Sequence, residues 1–328
     1  MGISGRRSFL RGSINYQVNR IFKESNLFRP GQSKHEEKAL ARGNGARTWA
    51  DLGAHLSIYS YQTAQTYKDV WHAFGHYAKA ELGLRDLEAV QGEHVADYLR
   101  SRIEDGIQYS TWQKEAAALG KLENALNLFA KETESGRTYN IRSQIADVRR
   151  EAAEVLGRST ESRAYKDADG LIKNILDNKY ELAARIQREG GARLYEASKI
   201  DKDQLSGIGK DDHTGKNVGW IRLDGNDTKG GKGRTIAVSE ETYKRLEGHI
   251  ARHGAFVIDS PQSYRRTLME AAERSEQPYT GSHGLRWNFA RERMAELQRE
   301  GYTYEQCLAQ TSWDMGHERP DITLHYLL

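Results

Sequence analysis

The 328-residue chain is poor in cysteine, in proline and in long apolar runs. Its one cysteine, Cys307, excludes an internal disulfide framework and suits a reducing compartment. Only four prolines favour long helices. No stretch approaches the roughly 20 apolar residues that cross a bilayer, so no membrane partner is expected. The arginines near the amino terminus precede no apolar segment, which argues against a signal peptide and for a cytoplasmic protein. Nor does one sign of charge dominate, since 49 Lys and Arg face 46 Asp and Glu for a net +3. The excess is local. Arg6, Arg7, Arg11, Arg20, Lys23 and Arg29 meet only Glu24 in the first thirty residues. Such a segment reads equally as a solvated arm or as an arm that contacts DNA, with Arg6, Arg7 and Arg11 as candidate phosphate contacts.

What is present is mostly helical periodicity. Residues 1–47 lack a steady period and read as a flexible basic arm with one short helix over 16–22. Beyond residue 57, Ala64, Tyr67, Val70, Trp71, Phe74, Tyr77 and Ala78 recur at three and four. A second helix is predicted over 93–103, with Val95, Tyr98, Leu99 and Ile103 inward. A third follows an N-cap at Ser110 and Thr111 and buries Trp112, Leu119, Leu126 and Phe129. A fourth covers 139–156. These four make a bundle over 48–157 that presents Arg100, Arg102, Lys114 and Lys121 as exposed cations. The polar segment 158–165 reads as a linker, and 166–328 as a second body.

In that second body, helices over 168–177 and 179–189 lead to Gly190 and Gly191, with Arg193 at the start of a further helix and Glu196 one turn on. A cation opposes the dipole at a helix start, and a bound anion would remove the conflict. Residues 218–223 and 235–238 are strand-prone and flank the turn sequences DGND and KGGKG. Helices over 240–252 and from Pro261 to about 274 follow, the latter carrying Tyr264, Arg265 and Arg266. The fold class expected is mainly α with a small antiparallel β-sheet, α+β, in two bodies.

The chemistry concentrates at the end, in SHGLRWNFARERM and MGHERPDITLHY. His283 and Arg286, three apart on a helix, share a face. Tyr326 follows His317 by nine. An Arg to hold phosphate oxygens, a His to move a proton and a Tyr to attack suit phosphoryl transfer. A rival arrangement makes His283, His317 and His325 ligands of a hydrolytic metal. Their spacing matches neither H-E-x-x-H nor a paired-Cys signature, so no metal or other cofactor is expected.

In order and spacing, these residues resemble the tyrosine recombinases, or phage-type integrases. That family carries H-x-x-R, here HGLR; G-H, here MGH; and a tyrosine nine residues after the His. Its first Arg resembles Arg193 in GGARLYEAS, with Glu196 beside it. Its hairpin Lys resembles Lys229 in TKGGKGRTIAV, with Lys232 in reserve. The resemblance implies a helical, SAM-like core-binding domain over 48–157 and a catalytic domain over 166–328, closing on duplex DNA as a C-shaped clamp. It implies a site-specific recombinase, the integrase of a mobile element, that works through a 3′-phosphotyrosyl link at Tyr326 without metal or ATP. Arg193 and Arg286 would hold the nonbridging oxygens, with Glu196 orienting Arg193. His283 would accept the tyrosine proton or hold the phosphate, His317 would bond a phosphate oxygen, and Lys229 would protonate the leaving oxygen. Lys232, Tyr264, Arg265, Arg266, Arg100, Lys114 and Lys121 become DNA-contact candidates. The implied partners are duplex recombination sites, further copies of the chain in a synaptic tetramer, and an accessory directionality factor. Two features depart from the family pattern: a longer span from Arg286 to Gly316, and only two residues after Tyr326. The same fold also serves non-catalytic DNA-binding regulators, and its chemistry type IB topoisomerase-like and telomere-resolving enzymes.

Overall fold

The computed structural model describes residues 10–157, 161–224, 233–317 and 319–327. They divide into two compact units, Met1–Ser159 and Thr160–Leu328. Among the described residues no helix is long and apolar enough to cross a membrane.

The first unit is helical: α1 (Ile14–Glu24), α2 (Lys34–Gly43), α3 (Trp49–His55), α4 (Tyr61–Glu81), α5 (Gly92–Glu104), α6 (Tyr109–Glu132) and α7 (Arg142–Val155). The four helices expected from periodicity are α4 to α7. Their large aromatics fill the centre, and the indole N–H groups of Trp71 and Trp112 donate to the carbonyls of Ala118 and Leu99 at 2.7 and 2.9 Å. Buried indoles need such partners.

The expectation of a flexible arm over 1–47 is corrected from residue 10 onward. Leu10, Ile14, Val18 and Ile21, spaced four, four and three, form an apolar stripe that joins the bundle's core with at most 3% exposure. The Ser13 hydroxyl caps α1. The Gln17 side chain donates to the Arg85 carbonyl at 2.8 Å and accepts from the Leu87 N–H at 2.8 Å. Arg6 and Arg7 lie outside the described residues, and Arg11 is exposed.

Three expectations about α5 and α6 also change. The cap of α6 is Gln108, not Ser110 or Thr111. Lys121 is buried rather than exposed: its Nζ donates to the carbonyls of Gly53 (2.6 Å) and Leu56, closing the end of α3. Burial pushes that ammonium down to about 8. Arg102 is committed to Glu115 and Asp105. Arg100 and Lys114 are exposed, Arg100 beside Glu151 and Asp97.

The second unit contains α8 (Ala168–Lys173), α9 (Asn178–Gly190), β1 (Lys199–Asp201), β2 (Leu205–Lys210), β3 (Asn217–Leu223), β4 (Arg234–Ser239), α10 (Glu240–His253), β5 (Ala255–Val257), α11 (Pro261–Arg274), α12 (Ser282–Arg299), α13 (Tyr304–Asp314) and α14 (Pro320–Leu324). Strands β2, β3 and β4 form an antiparallel sheet with β3 central, and β1 pairs antiparallel with β5. Alternation along β3 and β4 buries Ile221, Leu223, Ile236 and Val238. The chain is therefore mainly α with small antiparallel sheets. Strands β1, β2 and β5 were not anticipated, being short or glycine-interrupted. Part of the expected linker belongs to this unit: the Tyr165 N–H donates to Asn288 Oδ1 at 2.9 Å and its ring is buried.

Candidate active site

Four chain segments of the second unit converge. The first follows α9. Gly191 takes φ 62°, which ends the helix. The helix expected at Arg193 is absent; residues 193–197 make a single turn, the Ala197 N–H donating to the Arg193 carbonyl at 2.9 Å. The carboxylate of Glu196, 1% exposed, then accepts from both the backbone N–H and the NH1 of Arg193, at 2.7 and 2.6 Å. The pairing of these two residues stands, through a turn instead of a helix dipole.

The second segment is α12. Its i, i+3 spacing places His283 and Arg286 on one side. Arg286 is fully buried. It donates through NH1 to the Gly191 carbonyl and through NH2 to the Met315 carbonyl (2.5 Å) and His317 Nε2 (3.0 Å). Its Nε has no hydrogen-bond partner among the described residues.

The third segment is the turn after α13. A guanidinium only donates, so His317 Nε2 must accept, which places the ring proton on Nδ1. Nδ1–H then donates to Thr323 Oγ1 at 2.9 Å, and the Ser312 hydroxyl lies 2.6 Å from the same oxygen. Both ring nitrogens are thus engaged, leaving no lone pair for a metal. Among the described residues no three His, Cys, Asp or Glu side chains are grouped to hold one.

The fourth segment is the 3₁₀ turn His325–Leu327, reached through α14. It brings the Tyr326 hydroxyl to 2.9 Å from His283 Nε2. The Tyr326 ring packs against Trp287 and His317, and the Arg286 guanidinium carbon lies 5.8 Å from its centroid. His325 lies edge-on to Trp287.

The electrostatics follow from burial and crowded cations. Burial first, then Arg286, Arg163 and Arg193, push His283 down to about 4. Burial, then Arg286, Arg193 and Arg234, push His317 down to about 3. Both rings are therefore neutral at physiological pH. Burial, then Arg193 and Arg234, lower Arg286 to about 9. Burial raises the Glu196 carboxyl, but the hydrogen bonds and charge of Arg234, aided by Arg193, reverse this and hold it at about 2. Three guanidinium groups thus cluster with one carboxylate, which pairs with only two of them, an arrangement that favours an incoming anion.

Arg234 was missed in the sequence. It opens β4 and forms a two-pronged pair with Glu196 at 2.9 and 2.8 Å. Its place directly after the lysine turn in TKGGKGRTIAV was the available signal. Lys229 and Lys232 lie outside the described residues. Of the proposed contacts on α11, Arg265 and Arg266 are exposed. Tyr264 is not available for DNA: it is fully buried, its hydroxyl donating to Gln187 Oε1 at 2.7 Å.

No protein-family model matches the sequence, and no curated protein does. Solved structures do. The Tn1549 transposon integrase, in complex with a circular intermediate DNA, aligns at TM-score 0.55 and 16% identity over 91% of this chain and 96% of that one. Lambda integrase, solved as a dimer bound to a core site, aligns at TM-score 0.50 and 15% identity over 90% of this chain and 75% of that one. The fold is that of the tyrosine recombinases. At such identity the likeness is one of recombinase fold, and what the side chains do is read from their own geometry.

Proposed function

We propose that the chain is a site-specific DNA recombinase, the integrase of a mobile element, that cuts and rejoins duplex DNA through Tyr326. The observation that carries this reading is the Tyr326 hydroxyl at hydrogen-bond distance from a neutral His283, beside the buried Arg286. Tyr326 Oη attacks the scissile phosphorus, and the bond from phosphorus to the 5′ oxygen breaks. The phenolic proton passes to His283 Nε2. The leaving oxygen takes a proton from a general acid, a role we assign to Lys229. The product is a 3′-phosphotyrosyl link and a free 5′-hydroxyl, and the reverse attack by a 5′-hydroxyl rejoins a strand without ATP or metal. Arg193 and Arg286 stabilise charge on the nonbridging oxygens. A phosphate between them also cancels part of the positive field that lowers His283, so the base strengthens when substrate is bound. We assign Arg265, Arg266, Arg100 and Lys114 to contacts with the DNA backbone, and we assign exchange between two sites to a tetramer with an accessory directionality factor.

The test is a pool of randomised duplexes, each nicked so that the 5′ product diffuses away. Incubation with the full chain is expected to yield a covalent protein–DNA adduct stable to denaturant, whose recovered DNA identifies the site. Tyr326→Phe is expected to abolish it. An adduct that persists in Tyr326→Phe, or none from the wild type across the pool, overturns the proposal.

A further inference from the structure

We propose that Arg234 is the positioning residue that anchors Glu196 and thereby aims Arg193; this rests on reading the site as a phosphoryl-transfer centre. The donor inventory separates the two arginines. Arg234 commits four of its five N–H donors to the protein: NH1 and NH2 to the two oxygens of Glu196, NH2 also to the Gly191 carbonyl at 3.4 Å, and Nε to the Asp314 carbonyl at 3.2 Å. Arg193 commits one side-chain donor, to Glu196, among the described residues. The first is built into the frame, and the second keeps its fork for a ligand.

The frame matters because Glu196 is almost wholly buried. A carboxylate without partners there would take up a proton rather than stay charged. Arg234 supplies half of the four hydrogen bonds it accepts, and a carboxylate has about four acceptor positions. Loss of Arg234 therefore frees two acceptor positions and removes the largest opposing charge. Arg234 also connects elements that carry other site residues. Its Nε bond fixes the end of α13 just before Met315 and His317, and it shares the Gly191 carbonyl with Arg286. Gly316 leaves room for it: with φ 68° it has no side chain, and a Cβ there would lie 2.9 Å from Arg234 Cδ. Arg234 is also the first residue of β4, so it ties that strand end to the arginine cluster.

The experiment uses the full chain with Arg234→Gln, Arg234→Lys, Glu196→Gln and the double variant Arg234→Gln/Glu196→Gln. One readout is thermal melting from about pH 5 to about pH 8, without DNA. In the wild type the low carboxyl contributes stability that is present above the ordinary carboxylate range and lost as pH falls towards 2. In Arg234→Gln burial lifts that carboxyl, so the cost of keeping it charged grows as pH rises. The melting gap between wild type and Arg234→Gln is expected to widen with pH, and to lose its pH dependence in the Glu196→Gln background. Arg234→Lys, which keeps the charge without the fork, is expected to lie between them.

The second readout is the rate of Tyr326 adduct formation. Arg234→Gln and Glu196→Gln are each expected to lose about 10²-fold, the scale of a misplaced catalytic group. The double variant is expected to lose no more than either single, because the two act as a unit. A melting gap independent of pH, or losses that multiply in the double variant, overturns the proposal, the latter showing that Arg234 acts on the DNA directly. Absence of any wild-type adduct sinks the functional reading alone, since the melting series still decides whether Arg234 anchors Glu196.

Discussion

Acidification separates a base tuned by this site from an ordinary imidazole. Free histidine has a pKa of about 6.5, so at pH 6 about three-quarters of it is protonated. His283, held at about 4 by burial and the neighbouring arginines, would be about 1% protonated at that pH. The rate of adduct formation at subsaturating DNA reports ionisations of the free protein, whereas the rate at saturation reports those of the complex. The subsaturating rate is therefore expected to stay level from about pH 7 down to about pH 5 and to fall only towards 4. At saturation the acid limb is expected at higher pH, because bound phosphate offsets the charges of Arg286 and Arg193. The assay is denaturing-gel quantification of adduct on the recovered nicked site across that range. His283→Gln, which keeps hydrogen-bonding capacity but not basicity, is expected to lose about 10²–10⁴-fold and to lose this limb. Stability runs with the same sign: keeping His283 and His317 neutral favours the fold fully above pH 6.5, and the advantage shrinks on acidification towards 4 and 3. A subsaturating limb centred near 6.5, or a His283→Gln variant as fast as wild type, refutes the reasoning.

Three further substitutions test the corrected positions. Ile21→Ala is expected to cost about 2–5 kcal/mol in chemical denaturation, since it hollows a packed core; in a solvated arm it would cost under about 0.5 kcal/mol. Lys121→Met is expected to cost about 1–3 kcal/mol by leaving the carbonyls of Gly53 and Leu56 unpaired, with no change in the salt dependence of DNA binding measured by anisotropy. Tyr264→Phe is expected to lower stability by about 1–2 kcal/mol in the same denaturation assay through the lost bond to Gln187, leaving DNA affinity as it was.

Local spacing made much of the site legible. The three-residue interval from His283 to Arg286 and the nine from His317 to Tyr326 are properties of short segments and could be read directly, whereas the meeting of the two pairs is a tertiary contact. Arg234 was passed over for the opposite reason, since its partners at positions 191, 196 and 314 come from two segments far from it in the chain. Lys121 and Tyr264 were misread because a polar side chain on a helix suggests water. For Tyr264 the corrective signal was present in its four- and seven-residue spacing to Leu268 and Ala271, both buried. Around α1, the density of arginines obscured the apolar stripe of Leu10, Ile14, Val18 and Ile21. At Arg193 the paired glycines were read correctly as a helix end and wrongly as the prelude to another helix, because the chain makes a single turn there and passes into β1 at Lys199.

The peptide at Gly191 receives donors from two arginines, one on β4 and one on α12, so its oxygen acts as a shared hinge pin. The residue itself cannot vary. Its backbone lies in the left-handed region, and a methyl group there would meet the Phe289 ring at 2.5 Å. Any larger residue at 191 is strained at the peptide that both guanidinium groups hold. A substitution at 191 thus reaches two arginines through a residue that has no side chain of its own.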